Sequence, residues 1–259
     1  MNTQIGSNSS VRPMDKRKIK MSAESSKKPW QEKRWVPIVA ILLGYTLPLS
    51  VFIMQFVGGP TTGEGYLLYA TIYTFLVLAV LLLLLRFLCG EKPSVLNLRT
   101  GTWWKDILGG LGLVTITLTM KITLDPVIGS FFHRASDVES GISTLMDTLA
   151  GNMWLFALFI GPVLFIGVAG SEEVTRMFFI TRWMKIFPSK VWLGLGVFMS
   201  AALFGLNHIA QGPAGIISVA LNGLVMMLWY LRFGRVFHLV IAHYLYDAIQ
   251  IGLMVLLIK

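Results

Sequence analysis

Long apolar stretches separated by short polar breaks dominate the chain from residue 35 onward. Several of them exceed about 18 residues with few charges, which is the length that a helix needs to cross a bilayer. Glycine, proline and charged residues mark the breaks between them. The pattern predicts an all-α, polytopic transmembrane helical bundle of about seven spans, at residues 35–57, 66–89, 106–124, 152–180, 191–209, 213–233 and 236–257.

The polar positions outside the spans divide the chain into four parts. Residues 1–34 are rich in Ser and Lys and lack periodicity, so we expect a disordered basic tail. Residues 35–124 hold three spans, and residues 125–151 form an outer connection that is either an amphipathic surface helix or a plain loop. Residues 152–257 hold the last four spans, and this part is predicted to be the functional core.

Composition and charge agree with a membrane protein. Hydrophobic residues make up 55% of the chain and charged residues 14%, whereas about 25% of a typical soluble domain is charged. With a cytoplasmic N-terminus, 18 of the 22 Lys and Arg residues lie on the inner side and two on the outer side. This distribution assigns the basic charge to the lipid bilayer rather than to nucleic acid, and it favours a bacterial or archaeal plasma membrane.

Ionisable residues inside apolar spans are the candidates for chemistry, because a charge in hydrocarbon is costly and usually marks a functional site. Glu172 and Glu173 are adjacent on the fourth span, with Arg176 within pairing distance of both. Adjacent helical residues diverge by about 100°, so one glutamate is expected to face a cavity while the other finds a different partner. The structural alternative is that both glutamates mark a helix end, paired with Arg176 and Arg182.

Two later spans carry further polar side chains. His208 lies near the end of the fifth span, and His243 and Asp247 are four residues apart on one face of the seventh. A glutamate base, two histidines and an aspartate suit the activation of water and the stabilisation of a tetrahedral oxyanion. His238 is expected at the membrane interface, pointing away from His243.

The patterns of other membrane proteases are missing from the sequence. It contains no H-E-x-x-H zinc helix and no G-x-S-x-G nucleophile elbow. The single cysteine, Cys89, excludes an intramolecular disulfide and a zinc site built from cysteines.

At these residues the chain resembles the CAAX-protease and bacteriocin-processing family, also called CPBP or Abi. Its three motifs are E-E-x-x-x-R, F-x-x-x-H and H-x-x-x-[N/D]. Glu172 and Glu173 open the first motif, residues 204–208 fit the second, and residues 243–247 fit the third. The resemblance covers about residues 150–257.

The resemblance implies a membrane-embedded CAAX-type endopeptidase that acts on a membrane-anchored or membrane-proximal peptide or protein. Glu172, helped by His208, is implied to activate water, while His243 and Asp247 hold the substrate carbonyl or stabilise the oxyanion. A set of Glu, His, His and Asp also suits a divalent ion such as zinc, so the cofactor is either none or a metal held by these same four residues.

One departure from the family pattern keeps a second function open. Met177 stands where the family has arginine, and Arg176 comes one place early, in a supporting role beside Glu173. A non-catalytic bacteriocin self-immunity or scaffold protein of the same fold is therefore the alternative. A proton-coupled carrier is a further candidate, but it predicts inverted repeats that the sequence lacks.

The expected depths of the motifs conflict. Counted along straight helices, Glu172 comes close to the inner surface and His208 to the outer side. A break at Gly161 and Pro162 in the fourth span would bring the two residues together.

Overall fold

The computed structural model describes residues 28–57, 62–98, 102–135 and 142–258. Of these residues 89% are helical and none is in a strand, which confirms the predicted all-α class. Most of the predicted tail, residues 1–34, lies outside the described part. The described part contains eight main helices: α1 Trp35–Val57, α2 Gly63–Leu88, α3 Trp103–Phe131, α4 Ile142–Gly151, α5 Met153–Ile186, α6 Lys190–Leu206, α7 Gly212–Phe233 and α8 Val236–Ile258.

The predicted transmembrane class is confirmed for five helices. Helices α2, α3, α5, α7 and α8 are long and apolar enough to cross a membrane, whereas the apolar segments Trp35–Pro48 and Lys190–Leu206 are shorter. The count of seven spans and the cytoplasmic N-terminus stay predictions. Large exposed apolar side chains, among them Leu68, Ile122 and Leu256, suit contact with lipid.

Helix α3 continues past the predicted end of the third span at residue 124. The helix runs to Phe131 with Pro126 inside it, so the first residues of the predicted outer connection are helical. The Asp125 carboxylate lies 2.9 Å from Lys121 Nζ, one turn earlier, and 3.1 Å from Arg134 Nη2. Because two cations compensate this carboxylate, it does not have to leave the helix for water.

Helix α5 occupies the centre of the bundle. Its second half packs against α1, α2 and α6, and its first half packs against α2 and α8. Met177 and Phe178 on α5 are fully buried in the main apolar core, together with residues such as Leu113 and Leu239 from α3 and α8. The polar residues of α5 therefore face other helices rather than lipid.

Candidate active site

Helix α5 changes its winding before it reaches the two glutamates. Phe159–Gly170 is π-helical, and Gly161, at φ −74° and ψ −105°, lies outside the helical conformation. Pro162 follows and lacks the N–H that an uninterrupted helix would use. Regular α-helix then runs over Ser171–Ile186, with both glutamates in its first turn. The predicted break at Gly161 and Pro162 is confirmed.

Glu173 is fixed by a buried arginine. Arg176 Nη1 lies 2.9 Å from each carboxylate oxygen of Glu173, and both side chains are at most 2% exposed. Arg176 Nη2 donates to the carbonyl of Gly223 on α7, and the guanidinium lies 4.8 Å from the ring centre of Phe204 on α6. The arginine therefore reaches Glu173 from its displaced position and ties α5 to two neighbouring helices.

His243 lies between three carboxylates. Its Nδ1 is 3.0 Å from Glu173 Oε1, and its Nε2 is 3.4 Å from both Glu172 Oε2 and Asp247 Oδ2. Glu173 has the separate partner that was expected, Arg176, and both glutamates in addition reach the same imidazole. The ring presents a nitrogen on each of two edges, so one residue can contact two side chains that diverge on the helix.

His208 lies in the turn that follows α6, and Phe204 connects it to the other histidine. His208 Nδ1 is 3.0 Å from the Phe204 carbonyl oxygen. The Phe204 ring lies edge-on to His208 at 5.2 Å and to His243 at 5.8 Å between ring centres. The aromatic ring thus separates the two imidazoles while holding both in place.

A cavity of about 140 Å³ borders the face of Glu172. Its lining includes His208 and three polar residues to which the sequence analysis gave no role: Tyr45, Tyr73 and Asn207. The Glu172 side chain is 28% exposed, yet its buried Oε2 has no hydrogen-bond partner among the described residues. Oε2 therefore has a free acceptor position inside the protein, 3.4 Å from His243 Nε2, while the exposed part of the side chain borders the cavity.

A larger cavity of about 280 Å³ lies on the other side of Phe204 and His208. Both of these residues line it as well, together with His243 and Asp247, whose side chain is 25% exposed. All four predicted catalytic residues therefore border one or both cavities. The expected conflict in depth between Glu172 and His208 is absent, because the two side chains line the same small cavity.

His238 belongs to a different cluster. The histidine was expected at the membrane interface, but it is 5% exposed. Trp229 Nε1 donates to its Nδ1 at 3.1 Å, and its Nε2 is 3.6 Å from Asp106 on α3. Asp106 also pairs with Arg235 at 2.6 Å, so these groups join α3 to the start of α8.

The four residues predicted as possible metal ligands are Glu172, His208, His243 and Asp247. Within the described ranges, no group of three or more His, Cys, Asp or Glu side chains is arranged to hold a metal ion. His243 instead has both nitrogens directed at carboxylates. As they are arranged in the described part of the chain, the four side chains therefore do not fit a metal ion.

Residues 152–249 match the family described as type II CAAX prenyl endopeptidase, Rce1-like. This match confirms the resemblance to CPBP proteases for that part of the chain, which contains every predicted site residue. No curated protein and no solved structure matches the chain significantly.

Proposed function

We propose that this protein is a multi-pass membrane endopeptidase that hydrolyses a peptide bond close to the bilayer, with prenylated CAAX-type peptides as the first substrate class to consider. The observation that carries the proposal is the Glu172 carboxylate. It has an open acceptor position, borders a cavity and contacts a histidine held by further carboxylates. The family match over residues 152–249 supports the same class of activity.

Glu172 is assigned the role of general base. The small cavity beside it, at about 140 Å³, has room for about four waters at roughly 30 Å³ each. A water between Glu172 and His208 would give a proton to the carboxylate while its oxygen attacks the carbonyl carbon. When the tetrahedral intermediate collapses, the C–N bond breaks and the same proton passes from Glu172 to the leaving amine.

His243 is assigned to the substrate carbonyl. The ion-paired Glu173 has only acceptor positions, so His243 Nδ1 donates to it and the tautomer is fixed. Protonation of Nε2 would create a donor at the edge of the large cavity, where a developing oxyanion needs one. Glu173 and Arg176 support this arrangement by holding the imidazole between α5 and α8.

Asp247 is assigned an orienting role. An ionised carboxylate cannot donate a hydrogen bond to an oxyanion, so direct stabilisation would need a protonated aspartate. Its position 3.4 Å from His243 Nε2 suits the simpler role of favouring a proton on that nitrogen.

The non-catalytic alternative rested on the displaced arginine. Arg176 pairs with Glu173 at 2.9 Å, so the displacement gives no support to an immunity or scaffold role. The proposed partners are a membrane-anchored or membrane-proximal peptide or protein and the bilayer itself. The proposed location is the plasma membrane of a bacterium or archaeon.

Cleavage of a fluorogenic peptide library by the purified protein in liposomes tests the proposal. The library pairs farnesylated with unmodified peptides, and each is assayed with and without a chelator. We expect cleavage that Glu172→Gln abolishes and that the matched change Glu64→Gln, at an exposed position in the first turn of α2, leaves intact. Full cleavage by a folded Glu172→Gln protein would contradict the assignment, and inhibition by the chelator would contradict the metal-free chemistry.

A further inference from the structure

A lysine and an arginine lie together beside the large cavity, outside the region of the family match. Lys121 sits within the apolar helix α3, where a cation is costly unless it has a partner or a function. Lys121 Nζ and Arg134 Nη2 contact the same oxygen of Asp125, at 2.9 and 3.1 Å. Arg134 Nη2 also lies 3.1 Å from Ser218 Oγ on α7. The two cations are thus held side by side.

The two cations face the same cavity as the candidate catalytic residues. Lys121 and Arg134 line the space of about 280 Å³ that His243 and Asp247 also line, whereas Asp125 does not line it. Asp125 therefore contacts the two cations on the side that faces away from the cavity. Among the described residues, two cations contact one carboxylate here, and the side chains of Lys121 and Arg134 are 32% and 37% exposed.

An unpaired acceptor lines the same cavity as the two cations and the candidate catalytic residues. Asn222 lines the large cavity one turn after Ser218 on α7, and its Oδ1 is buried without a hydrogen-bond partner in the described part of the chain. A backbone N–H of an extended peptide would satisfy this oxygen. Apolar side chains line the same cavity and suit aliphatic residues of such a peptide: Leu145, Met146, Phe159, Leu164, Ile251 and Met254.

The geometry points to a carboxylate-binding subsite in which Lys121 and Arg134 hold the free C-terminus of the peptide that is cleaved. This inference rests on the proposed function. A peptide carboxylate complements the two cations, and it belongs to the same molecule as the scissile bond, because one cavity borders both places. A charge-assisted pair of donors is well suited to a terminal carboxylate.

Paired peptides that differ only at the C-terminus test the subsite. Each peptide is made as a free acid and as an amide, and both cleavage and direct binding by fluorescence anisotropy are measured in phosphatidylcholine liposomes. We expect the wild type to prefer the acid by roughly 10- to 100-fold in KM, the range for a charge-assisted hydrogen bond. Lys121→Gln and Arg134→Gln should each reduce this preference towards one, because only the acid loses a contact.

Control variants separate recognition from folding. Lys121→Arg should keep the preference for the acid, and Lys105→Gln, at an exposed position near the start of the same helix, should behave as the wild type. Equal binding and cleavage of acid and amide by the wild type would overturn the subsite and leave the proposed protease intact. Equal losses on both peptides in Lys121→Gln would overturn it too, since they would indicate a structural role.

Two further outcomes separate this inference from its alternatives. A preference that appears only when phosphatidylglycerol is added, irrespective of the peptide terminus, would assign the cations to lipid phosphate and overturn the inference. If no peptide were cleaved, the proposed function would fail. The binding measurement would still decide the subsite, because equal affinity for acid and amide contradicts it and a loss of preference in Lys121→Gln supports it.

Discussion

Helix α5 carries two buried ionic clusters that differ in their balance of charge. Their nearest members, Arg176 and Arg182, are about 9 Å apart along the helix axis. In the first cluster, one carboxylate, Glu91, contacts two cations, Arg182 and Lys185. The adjoining cavity is only about 20 Å³. Among the described residues, two cations contact one carboxylate there, and the cluster leaves little room for a ligand.

The second cluster has the opposite balance. Three carboxylates, Glu172, Glu173 and Asp247, surround one imidazole, and one arginine compensates one of them. Cavities of about 140 and 280 Å³ border it. An excess of acceptors beside open space is expensive for folding and useful for moving protons. The comparison suggests that the sign of the imbalance, and the space beside it, distinguish a candidate active site from a structural ion pair.

The largest expected effect is on catalysis at the second cluster. His243→Gln should lower kcat by roughly 10²- to 10⁴-fold, because the substrate carbonyl loses its proposed donor. A peptide cleavage assay measures this directly. The matched change His238→Gln disrupts the buried contacts with Trp229 and Asp106, so it should lower stability and leave kcat per folded molecule unchanged. Equal kcat in the two variants would contradict the role proposed for His243.

The first cluster should respond in stability rather than in activity. Arg182→Met takes from the buried Glu91 one of its cations, and it should cost about 3–5 kcal/mol of unfolding free energy. Thermal unfolding in detergent measures this, with the exposed Arg86→Met as its control. Glu172→Gln should have the reverse effect and keep or raise the unfolding temperature, because it removes a surplus carboxylate. A destabilised Glu172→Gln protein would argue that this glutamate is structural.

A smaller effect is expected at the arginine that holds Glu173. Lysine cannot donate to both Glu173 and the Gly223 carbonyl with the spacing of a guanidinium. Arg176→Lys should therefore lower kcat roughly 10- to 100-fold through a displaced His243. The exposed Arg232→Lys serves as control. Unchanged kinetics in Arg176→Lys would mean that the displaced arginine has no part in the site.

The smallest effect is expected for Asp247→Asn. Asparagine also occurs in the third motif of the resembling family, and its side chain can still hydrogen-bond to His243. We expect kcat within roughly tenfold of the wild type, and a larger loss in Asp247→Ala. The ratio of the two rates measures the orienting role. A loss well beyond roughly tenfold in the asparagine variant would show that the negative charge itself is required.

Sequence patterns were sufficient to locate the polar residues of the site and the helices that carry them. The break at Gly161 and Pro162 and the shared face of His243 and Asp247 follow from local chemistry and helical periodicity. The contact of both glutamates with His243 does not, because it depends on how α5 and α8 pack. Tyr45 and Tyr73 were missed for the same reason, since a tyrosine in an apolar span gives no signal of which cavity it lines.

Helix α3 extends beyond the predicted span for an electrostatic reason. Asp125 directly follows that span, but Arg134, which compensates this carboxylate, comes only after the helix has ended. His238 illustrates the same difficulty. Its buried position depends on Asp106, 132 residues earlier in the chain, and no pattern around His238 indicates that partner.

The π-helical segment Phe159–Gly170 gives the chain a constraint on length as well as on composition. Each helical residue turns the side chains that follow by about 100°. Deleting one residue between Gly161 and Ser171 would rotate Glu172 and Glu173 together away from the imidazole, although neither glutamate would change. The number of residues in this stretch therefore constrains the site as much as the identity of the glutamates does. An insertion or deletion there would act as an active-site mutation.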